Sequence, residues 1–222
     1  MSSGKSYAVI DLETTGLDCW SDLITEIGLM VVTPNAQPDA ESVLVTIDRR
    51  LPDNIVRLTG ITDQLLAREG IPIDDALLWL KNRMGGLPLV GHNIIRFDRG
   101  FLLEATRQHR RTVSPYDRSL DEVDDLPSYR FIDTMALFKG YKLCLEPSPG
   151  ESHYQYSQRV LQAPARGIRF SLGYACNDLG VRTSGNPTHR AANDAIMTQQ
   201  LFEKLLQVHS PESILLGGKY KL

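Results

Sequence analysis

Apolar positions follow two different periods along the chain. In the first fifty residues they lie in three runs rich in β-branched side chains, at 6–13, 23–32 and 41–48, separated by Gly, Pro and Asn. These runs predict an antiparallel meander of three strands. Further along, helical spacing predominates. The predicted helices cover 62–70, 74–84, about 97–110, 170–181 and 189–209, while 87–93 is a strand and 130–140 a strand followed by a helix. Strands followed by alternating helices and strands predict an α/β fold, a mixed sheet flanked by helices.

Two polar stretches interrupt this pattern. Residues 111–129 are acidic and broken by proline, and residues 141–168 contain three Pro and three Tyr without a sustained period. Both are predicted to be loop insertions flanking a substrate cleft. The 222 residues form a chain of ordinary length for one domain, so we expect a single domain over 1–222 with a short C-terminal tail.

Composition limits the classes of function. The formal net charge of −3 argues against a protein that coats nucleic acid through a broad basic face. Cys19, Cys144 and Cys176 match neither a disulfide framework nor a structural zinc site. No apolar run is long enough to span a bilayer or act as a signal peptide, so the expected location is the cytoplasm, with no membrane partner.

The stretch YAVIDLETTGL at 7–17 ends a predicted buried strand with two acids. Strand alternation places Asp11 and Glu13 on one face, where two close negative charges repel each other. A strand that simply runs into solvent would explain them, and so would a cation bound between them. On this stretch alone both interpretations stand.

Three further residues favour the cation. Asp98 begins a predicted helix after the strand at 87–93, and Asp194 lies in the opening turns of the last helix, five residues after His189. The helix dipole alone would favour each aspartate. Together, however, four carboxylates form an all-oxygen site suited to Mg²⁺ or Mn²⁺, and two such ions can catalyse phosphoryl displacement. A histidine beside them is suited to taking a proton from water. This set of groups is that of a phosphodiesterase.

The motifs DLETTG (11–16), NIIRFD (93–98) and HRAAND (189–194) occur in the order and internal spacing of the DEDDh 3′-to-5′ exonucleases. Over roughly residues 6–208 the chain resembles that superfamily, which includes proofreading epsilon-type subunits of DNA polymerases, RNase T and oligoribonuclease. LTGIT (58–62) and IDT (132–134) add to the resemblance. It implies an RNase H-like fold with a five-stranded mixed sheet, and a role in proofreading or DNA repair.

The resemblance also implies roles for individual residues. Asp11, Glu13, Asp98 and Asp194 would hold two divalent cations, and His189 would be the general base. The residues expected to contact substrate are Leu12, Thr14, Thr15, Gly16, Leu17, Asn93, Arg96 and Phe97. The spacing from Asn93 to Asp98, with Arg96 before Phe97, looks more like the bacterial exonuclease that digests single-stranded DNA.

Three functions remain open on these grounds. The first is an exonuclease on single-stranded DNA that releases nucleoside 5′-monophosphates, and the second is an exoribonuclease on RNA or short oligoribonucleotides. The third is a non-catalytic module that binds nucleic acid or a polymerase; the presence of all five expected catalytic residues argues against it. A second copy of the chain and a polymerase are the candidate protein partners.

Overall fold

The first three strands form the predicted antiparallel meander. In the computed structural model, which describes residues 6–114, 116–124, 126–181 and 189–208, they are β1 (Tyr7–Thr14), β2 (Ile24–Val32) and β3 (Asp39–Leu44). β1 pairs antiparallel with β2, and β2 with β3. Nearly every residue of β1 and β2 is buried, because these strands are covered on both faces.

Two short strands complete the sheet on the other side of β1. β4 (Leu89–Gly91) pairs parallel with β1, and β5 (Phe131–Asp133) pairs parallel with β4. The strand order is β3-β2-β1-β4-β5, which confirms the predicted five-stranded mixed sheet. β1 is therefore the central strand, and its carboxyl end lies beside those of β4 and β5.

The helices of the described residues largely follow the predicted order. They are α1 (Asp53–Thr59), α2 (Asp63–Glu69), α3 (Ile73–Met84), α4 (Asp98–Thr112), α5 (Asp121–Asp124), α6 (Thr134–Leu143), α7 (His153–Gln162), α8 (Leu172–Asp178) and α9 (Ala191–Val208). A short 3₁₀ turn, Ser128–Arg130, precedes β5. None of these helices is both long and apolar enough to cross a membrane.

Alternation along β1 divides the core into two layers. Ala8, Ile10 and Leu12 pack into the layer that contains α3, α4 and α5. Tyr7 and Val9 pack on the opposite face, in the layer formed by α6 to α9. Since Asp11 and Glu13 continue the odd-numbered series, they lie on the face that α9 covers.

Both predicted insertions bury side chains in the core, and the helices α5 and α7 lie within them, so neither segment is a loop throughout. Within 111–129, Leu120 and Val123 are buried against the α3–α4 layer around the single-turn helix α5. Within 141–168, α7 buries Tyr156 and Val160 in the other layer. Apolar side chains spaced along these segments explain why they fold onto the sheet. The predicted C-terminal tail lies outside the described residues.

Candidate active site

The end of β1 and the beginning of α9 meet without an intervening side chain. Asp11 pairs in register with Gly28 of β2, and the backbone of Ala191 lies directly over that glycine. A Cβ atom on Gly28 would lie 2.3 Å from the carbonyl carbon of Ala191, so the backbone of α9 would have to shift to accommodate it. Glycine at this position therefore lets the first turn of α9 approach the strand that carries the two acids.

This approach brings His189 and Asp194 to the end of β1. The backbone N–H of His189 donates to the carbonyl oxygen of Leu58 in α1 (3.0 Å). Its Nδ1 lies 2.9 Å from Oδ2 of Asp194, within hydrogen-bond distance. The imidazole is about half exposed, whereas the Asp194 carboxylate is mostly buried. His189 is thus oriented by a carboxylate while its ring remains accessible from the cleft.

Asp98 reaches the same place from the other side of β1. The last β1–β4 pair is Val9 with Val90, and beyond it the N–H of Leu12 donates to Oδ1 of Asp98 at 3.1 Å. Asp98 is only 3% exposed, and it is the first residue of α4. The carboxylate therefore takes the place of a strand partner on the β4 side of Leu12, which fixes the start of α4 against the central strand.

Asp133 holds the loop that precedes Asp98. It is completely buried and caps α6, as predicted, by accepting from the N–H groups of Met135 and Ala136. It also accepts from the N–H groups of Asn93 and Ile95 at 3.1 Å each. One carboxylate thus links α6 to the turn between β4 and α4. Burial raises the pKa of Asp133 to about 6, and these four hydrogen bonds oppose the rise.

All five predicted catalytic residues line one cleft of about 220 Å³. The residues around it are Asp11, Leu12, Glu13, Thr14, Gly16, Leu17, Ile55, Leu58, Thr59, His92, Phe97, Asp98, His189 and Asp194. Ligand atoms from Glu13, His189 and Asp194 lie within 4.8 Å of one another. Glu13 is therefore close enough to share a cation with His189 and Asp194, although it precedes both by more than 170 positions.

The electrostatics of the cleft favour a cation. Burial, followed by repulsion from Asp98 and other carboxylates, holds the pKa of Asp11 well above its usual range. Burial and repulsion from Asp194 raise the pKa of Glu13 to about 8, although Arg190 opposes this. Burial also raises the pKa of Asp98 to about 7. Carboxylate oxygens with this much uncompensated charge fit a hard divalent cation such as Mg²⁺ or Mn²⁺.

The residues predicted to contact substrate fall into two groups. Those that line the cleft are Leu12, Thr14, Gly16, Leu17 and Phe97. Thr15, Asn93 and Arg96 lie outside its lining. The Thr15 hydroxyl donates to Asp22 and accepts from the N–H of Leu23, so it holds the turn after β1. Asn93 adopts a left-handed backbone conformation, with φ of 67°, in the turn that Asp133 holds, and Arg96 is exposed.

The sequence interpretation missed the wall that α1 forms. Ile55, Leu58 and Thr59 of this helix line the cleft opposite β1. Two local signals mark the helix: Pro52 directly before it, and Gly60 after it, which ends the helix with φ of 72°. The family resemblance includes the motif LTGIT, but it did not predict the helix α1, which contains the first two residues of that motif.

Solved structures of exonuclease I share this fold. One of them, a structure interpreted in terms of processivity, has a TM-score of 0.66 at 19% identity, covering 93% of this chain and 42% of that one. A complex of E. coli exonuclease I with a dA16 oligonucleotide also gives 0.66, at 18% identity over 93% of this chain and 42% of that one. The predicted RNase H-like α/β fold is thereby confirmed.

The fold and the carboxylate cleft together define a nuclease-type α/β domain. The RNase_T exonuclease family model matches residues 8–202, and the chain belongs to this family. Both the predicted superfamily and the predicted enzyme class, an exonuclease, are confirmed.

The curated relatives include DNA polymerase III proteins and a protein named as a 3′-5′ exonuclease. The 3′-5′ exonuclease DinG of Staphylococcus epidermidis is 28% identical over 92% of this chain and 19% of its own length. The DNA polymerase III subunit epsilon of Aquifex aeolicus is 26% identical over 91% of this chain and 81% of its own. The PolC-type DNA polymerase III of Mycoplasma genitalium is 32% identical over 53% of this chain and 8% of its own length. The chain therefore spans only a small part of several relatives that it matches.

Proposed function

We propose that this chain is a divalent-metal-dependent 3′-to-5′ exonuclease that releases nucleoside 5′-monophosphates from single-stranded DNA. The observation that carries the proposal is the convergence of Asp11, Glu13, Asp98, His189 and Asp194 on one cleft. The likeness to exonuclease I, which is known in complex with single-stranded oligonucleotides, supports DNA as the substrate. The similarity to enzymes named 3′-5′ exonucleases supports the direction of digestion.

In this proposal the four carboxylates of the cleft hold two cations, either Mg²⁺ or Mn²⁺. When bound, such ions stabilise the attacking and leaving oxygens of an in-line displacement at phosphorus. The raised pKa values of Asp11, Glu13 and Asp98 are consistent with this role, because a cation would offset the repulsion that raises them.

His189 acts as the general base. Its Nδ1 is hydrogen-bonded to Asp194, which leaves the Nε2 lone pair to take the proton from water. The water oxygen forms a bond to phosphorus as the bond to the 3′ oxygen of the preceding nucleotide breaks. The products are a nucleoside 5′-monophosphate and a strand shortened by one nucleotide with a free 3′-hydroxyl.

Apolar side chains at the rim of the cleft would contact the terminal bases. Leu17 is 87% exposed and Leu58 is 48% exposed. Both border the cleft, on the loop after β1 and on α1 respectively. Bases of any identity can pack on such surfaces, which suits an enzyme that digests without regard to sequence.

A product ladder tests the proposal. The protein is incubated with Mg²⁺ or Mn²⁺ and with 5′-labelled single-stranded DNA, duplex DNA and RNA of one sequence. Stepwise shortening of the single-stranded DNA is expected, with no activity in Asp11→Asn or in EDTA. Asp178→Asn, which removes a carboxylate paired with Lys142 on the surface, is the matched control and should digest normally.

The ladder also separates the alternatives. Faster digestion of RNA would replace DNA by RNA as the substrate, because the 2′-hydroxyl is what distinguishes the two. Binding without digestion in every lane would identify a non-catalytic module. Activity in Asp11→Asn equal to that of the unmodified protein would refute the assignment of the site.

The two protein partners remain predictions. Similarity to an epsilon subunit of DNA polymerase III supports a polymerase as one of them. Sedimentation of the protein alone tests the homodimer, and sedimentation with a replicative polymerase subunit tests the other.

A further inference from the structure

We propose that Glu26 is a positioning residue that fixes the first turn of α9, and with it His189 and Asp194, against the central strands. The proposal deepens the proposed exonuclease function and rests on it. Glu26 lies in the middle of β2 and is completely buried, although it is a carboxylate.

Both carboxylate oxygens of Glu26 accept hydrogen bonds from neighbouring groups. Its carboxylate accepts from Nε of Arg190 at 3.0 Å and from Nη2 of Arg190 at 2.7 Å. It also accepts from the N–H of Ala191 at 3.1 Å and from the hydroxyl of Ser42 at 2.7 Å. A carboxylate surrounded in this way has no free oxygen for a cation, so Glu26 is not a further metal ligand.

The contacts of Glu26 fix the orientation of the Arg190 guanidinium as well as its distance from β2. A guanidinium bound through two nitrogens is held in the plane of the carboxylate, which a single contact would not achieve. The bond to Ala191 also satisfies one of the N–H groups that a helix leaves unpaired at its N-terminus. Because a buried carboxylate is costly and an apolar residue would fill the position more cheaply, stability alone does not explain Glu26.

The two anchored residues, Arg190 and Ala191, lie between His189, which precedes α9, and Asp194, which is in its first turn. His189 immediately precedes Arg190, and the N–H of Asp194 bonds to the carbonyl of Arg190 at 3.0 Å. Glu26 itself pairs in register with Glu13. A shift of this first helical turn would therefore move His189 and Asp194 together, relative to Glu13, and would open the cluster in which their ligand atoms lie within 4.8 Å.

The test combines activity with metal binding measured on the protein alone. Glu26→Gln keeps one acceptor and Glu26→Leu removes all of them; Ser42→Ala removes only the hydroxyl contact and is the matched control. In Glu26→Leu we expect kcat on single-stranded DNA to fall at least 100-fold, with KM within threefold, and the Kd for Mn²⁺ to rise at least tenfold. Glu26→Gln should lie between this variant and the control.

Folding is checked by circular dichroism, and Mn²⁺ binding by the paramagnetic resonance of the free ion. If Glu26→Leu does not fold, Arg190→Lys provides the test, because it keeps the charge and loses the two-pronged contact; a kcat reduced at least tenfold is expected. A folded Glu26→Leu, or a folded Arg190→Lys, with unchanged kcat and Mn²⁺ affinity overturns the proposal. If the unmodified protein proves inactive on nucleic acid, the proposed function fails, while the Mn²⁺ measurements still decide the role of Glu26.

Discussion

Replacing Glu13 by glutamine should make the metal-free protein more stable at pH 8 while abolishing its activity. Burial and the neighbouring acids raise the pKa of Glu13 to about 8, and its side chain is almost inaccessible to solvent. A raised carboxyl pKa means that the folded protein binds a proton more tightly than the unfolded chain does. Stability from this group is therefore greatest at low pH and declines as pH rises from about 4.5 to 8.

The size of the effect follows from the pKa difference. Each unit corresponds to about 1.4 kcal/mol, so ionising Glu13 at pH 8 costs on the order of 4 kcal/mol. Glutamine removes the charge but leaves a buried amide, so we expect a gain of about 2–3 kcal/mol in the free energy of unfolding. For a chain of this length that is about 5–10 °C in Tm. At pH 5 the gain should be below about 1 kcal/mol, since Glu13 is then mostly protonated in the folded protein.

The assay is thermal unfolding in EDTA at pH 5 and pH 8. Glu41→Gln, on the edge strand β3 of the same sheet, is the control: its exposed ion pair with Arg83 should contribute less than about 1 kcal/mol at either pH. Mn²⁺ should raise the Tm of the unmodified protein at pH 8, and raise that of Glu13→Gln less. An equal stabilisation at both pH values, or a lower Tm at pH 8, would refute the reasoning.

Three further predictions concern the framework of the cleft and its rim. Gly28→Ala should destabilise the fold by about 1–3 kcal/mol and lower kcat at least tenfold, since its Cβ would displace Ala191; an unchanged kcat in a folded variant would contradict this. Asp133→Ala should cost about 3 kcal/mol in urea unfolding, because four backbone N–H groups lose their acceptor. Its Mn²⁺ affinity should also fall, as the turn before Asp98 loosens; a urea midpoint equal to that of the unmodified protein would show that water replaces the carboxylate. Leu17→Ala should leave Tm unchanged but raise KM for single-stranded DNA several-fold, because this side chain is 87% exposed and borders the cleft; an unchanged KM would remove it from the binding surface.

Features set by local geometry could be predicted from the sequence. The shared face of Asp11 and Glu13 follows from strand alternation alone, and the structure places both on the α9 side. The cap at Asp133 follows from residue type and position. These features depend on a few neighbouring residues, so no knowledge of the tertiary fold was needed.

The segments 111–129 and 141–168 show where local sequence signals are too weak to reveal a helix. The helix α5 is only one turn long. The buried residues Leu120 and Val123 are therefore too few to give a recognisable helical period among their polar neighbours. The capping box formed by Ser152 and Gln155 is a sequence signal for the start of α7. Pro147 and Pro149, shortly before it, nevertheless favour a loop.

The contacts of Glu26 and Gly28 with α9 could not be predicted, although the family resemblance did predict that the five catalytic candidates share one site. In the sequence, Glu26 looks like an ordinary polar residue of a predicted strand. Its partner Arg190 lies 164 positions away. Gly28 likewise looks like a weak point in β2 until α9 is seen to lie on it. Their significance depends on which helix covers which strand, and no short pattern in the chain contains that information.

The wide separation between β1 and α9 has a consequence for synthesis of the protein. A ribosome completes the strand with Asp11 and Glu13 long before it adds His189 and Asp194, so an emerging chain holds only part of the cluster. Because closing so long a loop is entropically costly, we expect the contacts between α9 and the central strands to form late in folding. A copy truncated before α9 would therefore lack His189 and Asp194, two of the five predicted catalytic residues that line the cleft.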